Sequence, residues 1–146
     1  MRISAKGEYG IRAMLDLTLH HGRGLVPIQE IAQRQGIPQR YLEQVLLLLG
    51  RAGFLESKRG ATGGYQLVKP PDEVSVGDVL RAIDGRVAVL EVAGRRRGDT
   101  SPEPDLAALW QEVADAVGAV IDRLTFAELA DRARARRSPH RAVYHI

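Results

Sequence analysis

The chain has 146 residues, 45% of them apolar and 27% charged, which fits one domain, or a small domain with an appended element, able to bury a core without disulfides or metal. It has no cysteine, which excludes disulfides, thiolate catalysis, thiolate zinc sites and all-thiolate iron–sulfur sites. Its net charge of +3 is unevenly spread: residues 1–70 hold ten Lys/Arg against five Asp/Glu, and residues 71–146 hold eleven against thirteen, so either the N-terminal half meets a polyanion or the asymmetry is chance. No signal-type apolar run follows Met1 and no stretch approaches membrane-spanning length, so the expected location is the cytoplasm.

Residues 4–21 read as a helix capped by Ser4, with Ile11, Met14, Leu15, Thr18 and Leu19 at helical spacing and Gly22 and Gly24 ending it. Pro27 opens a short helix with Ile28, Ile31 and Ala32 on its apolar face, and Gly36 stops it. Pro38 begins the next helix, which carries Tyr41, Leu42, Val45, Leu46 and Leu49 up to Gly53. The period then changes. Residues 54–58 and 65–69 read as strands around the glycine-rich tip Arg59-Gly60-Ala61-Thr62-Gly63-Gly64, and Pro70-Pro71 breaks the chain. Ser75 caps a short helix with Val76, Val79, Leu80 and Ile83. Residues 85–104 have no clean period and read as a long loop. From Asp105 to about Leu124 a strong helix follows, with the stripe Leu106, Leu109, Trp110, Val113, Val117, Val120, Ile121 and Leu124. Thr125, with Glu128 three residues on, has capping-box spacing and starts a last helix to about Arg137; residues 138–146 read as a tail.

Two short helices meeting across Gly36, with small Ala32 at the crossing and Ile31, Ile37, Leu42 and Val45 between them, have the spacing of a helix-turn-helix. In that motif the second helix enters the major groove N-terminus first, which puts Pro38, Gln39, Arg40, Tyr41, Glu43 and Gln44 at the bases. Arg can read guanine, Gln adenine, and Glu can accept from cytosine. Two readings stand for Tyr41, toward DNA or partly into the core, and two for Glu43, a base contact or an intrahelical ion pair. Lys58 and Arg59 lead into the tip, where bare backbone at Gly60 and Gly63, with Thr62 between them, can approach a phosphate or a narrow minor groove. The glycines alone would suit plain hairpin geometry; after a helix-turn-helix they read as a DNA wing.

The stretch Met1 to Tyr9, the run Gly36-Ile37-Pro38 with Tyr41-Leu42-Glu43-Gln44, the wing Arg59-Gly60 with Gly63-Gly64-Tyr65, and Leu109-Trp110 together resemble the Rrf2 family of bacterial transcription regulators. The resemblance covers roughly residues 1–130. It implies a mainly α fold with a small β-wing: a winged helix-turn-helix domain over 1–84, a loop over 85–104, and dimerisation helices over 105–137 that pair two chains on a pseudo-palindromic operator. By the same resemblance Ser4, Lys6, Tyr41, Glu43, Arg59 and the wing glycines fall where the family meets DNA. Many members hold an iron–sulfur cluster on three cysteines, often with a histidine, ahead of the Leu-Trp pair. Here Val92, Gly98, Pro104 and Ala107 stand at those places, so no cofactor or metal is expected, as in a cysteine-free minority of the family.

The other constellations are weaker. His20-His21 are adjacent and share no helix face, so they read as a solvated helix end; Arg95-Arg96-Arg97 read as a basic loop tip or an anion contact. Neither a nucleophile–base pair nor a phosphate loop occurs, which argues against an enzyme. Two functions compete: a homodimeric regulator, expected to repress, on double-stranded DNA, and a module whose winged helix docks a partner protein such as a metabolic enzyme. The effector, small molecule or protein, is open.

Overall fold

The computed structural model describes residues 3–90 and 104–137, with side chains at 86–90 and 104 left aside. Helix α1 (Ala5–Leu19) is capped by Ser4, whose hydroxyl accepts from the Gly7 N–H at 2.9 Å. Helices α2 (Ile28–Gln35) and α3 (Gln39–Arg51) follow, with Pro27 and Pro38 as their N-caps. Between them Gly36 takes φ 63°, the left-handed conformation that a turn this tight requires, and the Ile37 N–H returns to the Ala32 carbonyl. Ile31, Ile37, Leu42 and Val45 are all buried, filling the crossing as the sequence spacing predicts.

Strands β1 (Leu55–Lys58) and β2 (Gly64–Leu67) pair antiparallel with Leu55 opposite Leu67 and Lys58 opposite Gly64. This hairpin is tied to the entrance of α2, because Val26 and Tyr65 exchange both backbone hydrogen bonds at 2.8 and 2.9 Å. A side chain at Gly64 would collide with the Val26 carbonyl, so only glycine permits this close approach. A 3-10 turn at Pro71–Glu73 leads into α4 (Val76–Leu90), then come α5 (Pro104–Arg123) and α6 (Phe126–Arg137).

One core joins these pieces. Ala13, Met14 and Leu17 of α1, Leu42, Val45, Leu46 and Leu49 of α3, and Val79 of α4 are buried together with Phe126 at the start of α6. Phe126 is held by more than packing: its N–H donates to the Val74 carbonyl, the Val76 N–H donates to the Leu124 carbonyl, and Ser75 and Thr125 thus face each other as a two-residue bridge. The starts of α4 and α6 are therefore stapled side by side. A buried carboxylate, Asp16, ties α1 to α2 through the Arg34 guanidinium (2.9 and 3.0 Å) and the Gln35 amide (3.1 Å). The hydrogen bonds to Asp16 hold the Arg34 guanidinium above its usual pKa.

The structure departs from the sequence reading at several points. The segment read as loop from 85 starts helical: Gly85 breaks α4 with φ 78°, and the helix resumes to Leu90. Residues 91–103, including Val92, Gly98 and Arg95-Arg96-Arg97, and the tail 138–146 lie outside the described residues. Ser75 and Asp78 form a reciprocal capping box, each side chain bonded to the other's N–H at 3.0 Å, which the sequence reading missed. At Thr125 the reverse holds: its hydroxyl accepts from the Glu128 N–H, but the Glu128 carboxylate turns to Arg132 instead of reaching back. His20 is half-buried, with its Nδ1 2.8 Å from the Asp16 carbonyl, so it is less solvated than its position at a helix end suggests.

Candidate nucleic-acid interface

Helix α3 is two-sided by its sequence period. Leu42, Val45, Leu46 and Leu49 face inward, and this fixes the rotation of the helix; Gln39, Arg40, Tyr41, Glu43 and Gln44 then have to face solvent, and all five do, as does the N-cap Pro38. Tyr41 is 42% exposed, so it lies on the outer face of the helix and not in the core. The Arg40 guanidinium lies 5.2 Å from the Tyr41 ring centroid, and its Nη2 is 3.4 Å from the phenol oxygen. Such an exposed pair is worth about 0.5–1 kcal/mol, so either side chain can be drawn away at small cost. Glu43 makes no ion pair with a described residue, so the intrahelical pairing considered for it does not occur among them.

The wing stands across a groove of about 740 Å³ from α3. Glu43 lines it from α3, Lys58, Arg59, Gly60 and Gly63 line it from the wing, and Tyr65 of β2 is also part of the lining. Burial, and then the Glu43 charge, push the Tyr65 phenol above its ordinary pKa, so it stays a neutral hydroxyl beneath the wing. Lys58, Arg59, Gly60 and Thr62 are exposed; Gly63 is half-buried, and a Cβ there would collide with the Lys58 carbonyl.

Thus five of the expected DNA-facing residues share one groove. Pro38, Gln39, Arg40, Tyr41 and Gln44 lie beyond it on the outer surface of α3, with Thr62 at the wing tip. Ser4 and Lys6 lie at the start of α1, Ser4 as its N-cap and Lys6 in its first turn. Lys6 is exposed, whereas the Ser4 hydroxyl is engaged inward, donating to the Asp84 carboxylate while it caps Gly7. The groove also includes residues outside the expected set: Gln29 from the first turn of α2, and Leu47 and Arg51 from the later turns of α3. Leu47 and Arg51 lie four and eight residues after Glu43, a helical spacing that is a usable signal for both, but Leu47 stands inside the run Leu46–Leu49, which reads as uniformly core.

On α5 the apolar stripe divides. Ala114 is buried and Ile121 half-buried, while Leu106, Leu109, Trp110 and Val120 are exposed, between 37% and 45% of each residue. Val113, Val117 and Leu124 are half-buried. The exposed members, Leu106, Leu109, Trp110 and Val120, are spread along about four turns of the helix.

Comparison with known proteins places this geometry. The profile of the Rrf2 family, described as an iron-dependent transcriptional regulator, matches residues 3–132. The chain is 38% identical over 130 residues to the HTH-type transcriptional regulator CymR of Bacillus subtilis, covering 89% of this chain and 90% of that protein. The solved structure of that CymR, described as the global cysteine regulator of its organism, superposes with a TM-score of 0.77 at 37% identity, covering 90% of this chain and 98% of the other. The structure of T. potens IscR superposes with a TM-score of 0.76 at 36% identity, covering 94% and 92%. The iron in the family's description has no thiolate donors to meet here: the chain has no cysteine, Pro104 opens α5, and Ala107 follows in its first turn. Among the described residues no three His, Asp or Glu side chains gather as a metal site. The residues present do not fit a thiolate-held cluster.

Proposed function

The chain belongs to the Rrf2 family of DNA-binding transcriptional regulators, and from that premise we propose that it reads a two-half-site operator as a homodimer, with α3 in the major groove and the wing against the adjacent backbone or minor groove. The observation that carries this is the division of α3: four inward residues lock it to the core, and Gln39, Arg40, Tyr41, Glu43 and Gln44 are left exposed on its first turns. Arg40 and Gln44 supply paired hydrogen bonds to guanine and adenine, Glu43 an acceptor for cytosine, and Lys6, Lys58 and Arg59 positive charge for phosphate. The exposed stripe of α5 is the twofold contact with a second chain, which sets the two recognition helices whole turns of the duplex apart, about 34 Å. No helix among the described residues is long and apolar enough to cross a membrane, which fits action on DNA in the cytoplasm. With no cluster to hold, control passes to another effector, and bound dimer represses by covering the promoter. No observation favours the alternative of a winged helix that docks a partner protein.

The test is selection of bound fragments from genomic DNA, followed by binding to the selected operator with salt titration. Arg40→Ala and Gln44→Ala should each lower operator affinity by about 1–3 kcal/mol and relax selectivity at one position per half-site. Unchanged selectivity in both variants removes α3 from the reading role.

A further inference from the structure

We propose that Leu47 is a sequence-reading residue that packs against the C5-methyl group of a thymine in each half-site; this rests on the reading of α3 as the major-groove helix. Of the four consecutive leucines Leu46–Leu49, two are buried and one half-buried, but Leu47 is 55% exposed, the most open leucine among the described residues of the core domain. A single exposed leucine is ordinary on a protein surface. Its surroundings are not: it stands four residues after Glu43, three after Gln44 and four before Arg51, on the outward face that carries the polar reading residues. It also lines the same groove as Lys58 and Arg59 of the wing.

The charges around it select the occupant. Arg51, Lys58 and Arg59 rim the groove with positive charge, which suits the phosphates on either side of a base step, while the Glu43 carboxylate beside them disfavours phosphate and directs that part of the wall toward a base amino group. Leucine has no donor or acceptor. In the major groove only thymine presents an apolar group at the base edge, so an apolar side chain there distinguishes T·A from C·G by its methyl. Reach is adequate, since seven residues beyond Arg40 is about 10 Å along the helix, comparable with the width of the groove it would lie in.

The experiment uses the full chain and the operator recovered by selection from random-sequence duplex. Each thymine is replaced in turn by deoxyuridine, which removes only the methyl, and Kd is measured at fixed salt for wild type, Leu47→Ala and Leu47→Met. Wild type should lose about fourfold per half-site at one thymine, the equivalent of one buried methyl. Leu47→Ala should bind the thymine operator more weakly but be indifferent to the swap at that position, and Leu47→Met, which keeps an apolar reach, should recover part of the sensitivity. Leu47→Ala should keep wild-type stability to urea, because the side chain is outside the core. The proposal is overturned if wild type is insensitive at every thymine, if Leu47→Ala retains the same methyl profile, or if it weakens all sequences equally. A selected operator without a methyl effect overturns this proposal alone; a wild type that enriches no sequence overturns the reading of α3 as well.

Discussion

The attachment of the wing can be broken at one atom. Replacing Gly64 by alanine places a Cβ on top of the Val26 carbonyl oxygen, and close to the Val26 carbonyl carbon and the Pro27 nitrogen. All three contacts are backbone, so no side chain can rotate away; the hairpin must retreat from the entrance of α2. Retreat costs the two hydrogen bonds between Val26 and Tyr65, at about 1 kcal/mol each. The backbone at Gly64, with φ 158°, adds strain for any L side chain, so the total is about 2–3 kcal/mol. Gly60→Ala is the control: its φ of 111° is also strained, but nothing lies within 4 Å of the added carbon, so its cost should be about 1 kcal/mol. Urea denaturation of wild type and both variants measures the difference. Operator binding then separates stability from placement, because Gly64→Ala should lose affinity under conditions where it is fully folded. Equal destabilisation by the two substitutions, or a Gly64→Ala variant within about 0.5 kcal/mol of wild type, would refute the claim that the wing is positioned through this contact.

Arg34→Ala strands the buried Asp16 carboxylate and should cost about 3 kcal/mol in thermal or urea unfolding, whereas Asp16→Asn leaves a guanidinium that can reach water and should cost about 1 kcal/mol; the reverse order would mean that Asp16 is not held as described. Burial works against the charge of Asp78, but its bonds from Ser75 and its partner Arg81 outweigh this and hold its carboxyl below the usual range. A depressed native pKa stabilises the fold above the ordinary carboxylate pKa, so this contribution is complete at neutral pH and drains away as pH falls below about 4; Asp78→Asn should flatten that part of the stability–pH curve, and an unchanged acid limb would contradict it. Leu109→Asp lies on the exposed side of α5 and should give a folded monomer by analytical ultracentrifugation with greatly weakened operator binding, since two half-sites no longer act together; a dimeric variant with full affinity would remove the α5 stripe from the interface.

What could be read in advance follows from the range of the forces involved. Gly36, Ile37 and the inward set of α3 are fixed by neighbours within one or two turns, so their roles are legible in the spacing. The outer residues of α3 follow from the same rotation. Leu47 escapes because exposure is not a property of residue type: a leucine flanked by leucines reads as core, and only docking of Leu46 and Leu49 shows that it cannot also turn inward. Asp16 escapes for the opposite reason. A carboxylate on a helix reads as solvent-facing, and its burial depends on Arg34 and Gln35 arriving from another helix. The helical residues beyond Gly85 read as loop because the break at that glycine shifts the helix and leaves too few residues before Leu90 to show a period of their own.

The staple between Ser75 and Thr125 has a consequence for how the polypeptide tolerates being cut. Phe126 is buried among residues of α1, α3 and α4, and its backbone is bonded to Val74, so α6 completes the N-terminal core even though residues 91–103 intervene in the chain. A backbone cleavage between Leu90 and Pro104 removes a covalent link but neither the bonds between Val74–Val76 and Leu124–Phe126 nor the packing of Phe126. The link serves these contacts only by raising the local concentration of one piece around the other. Two fragments, one ending after α4 and one beginning at α5, would therefore be partners in complementation: the first incomplete at its centre without the second, and the second without a place for its phenylalanine until it finds the first.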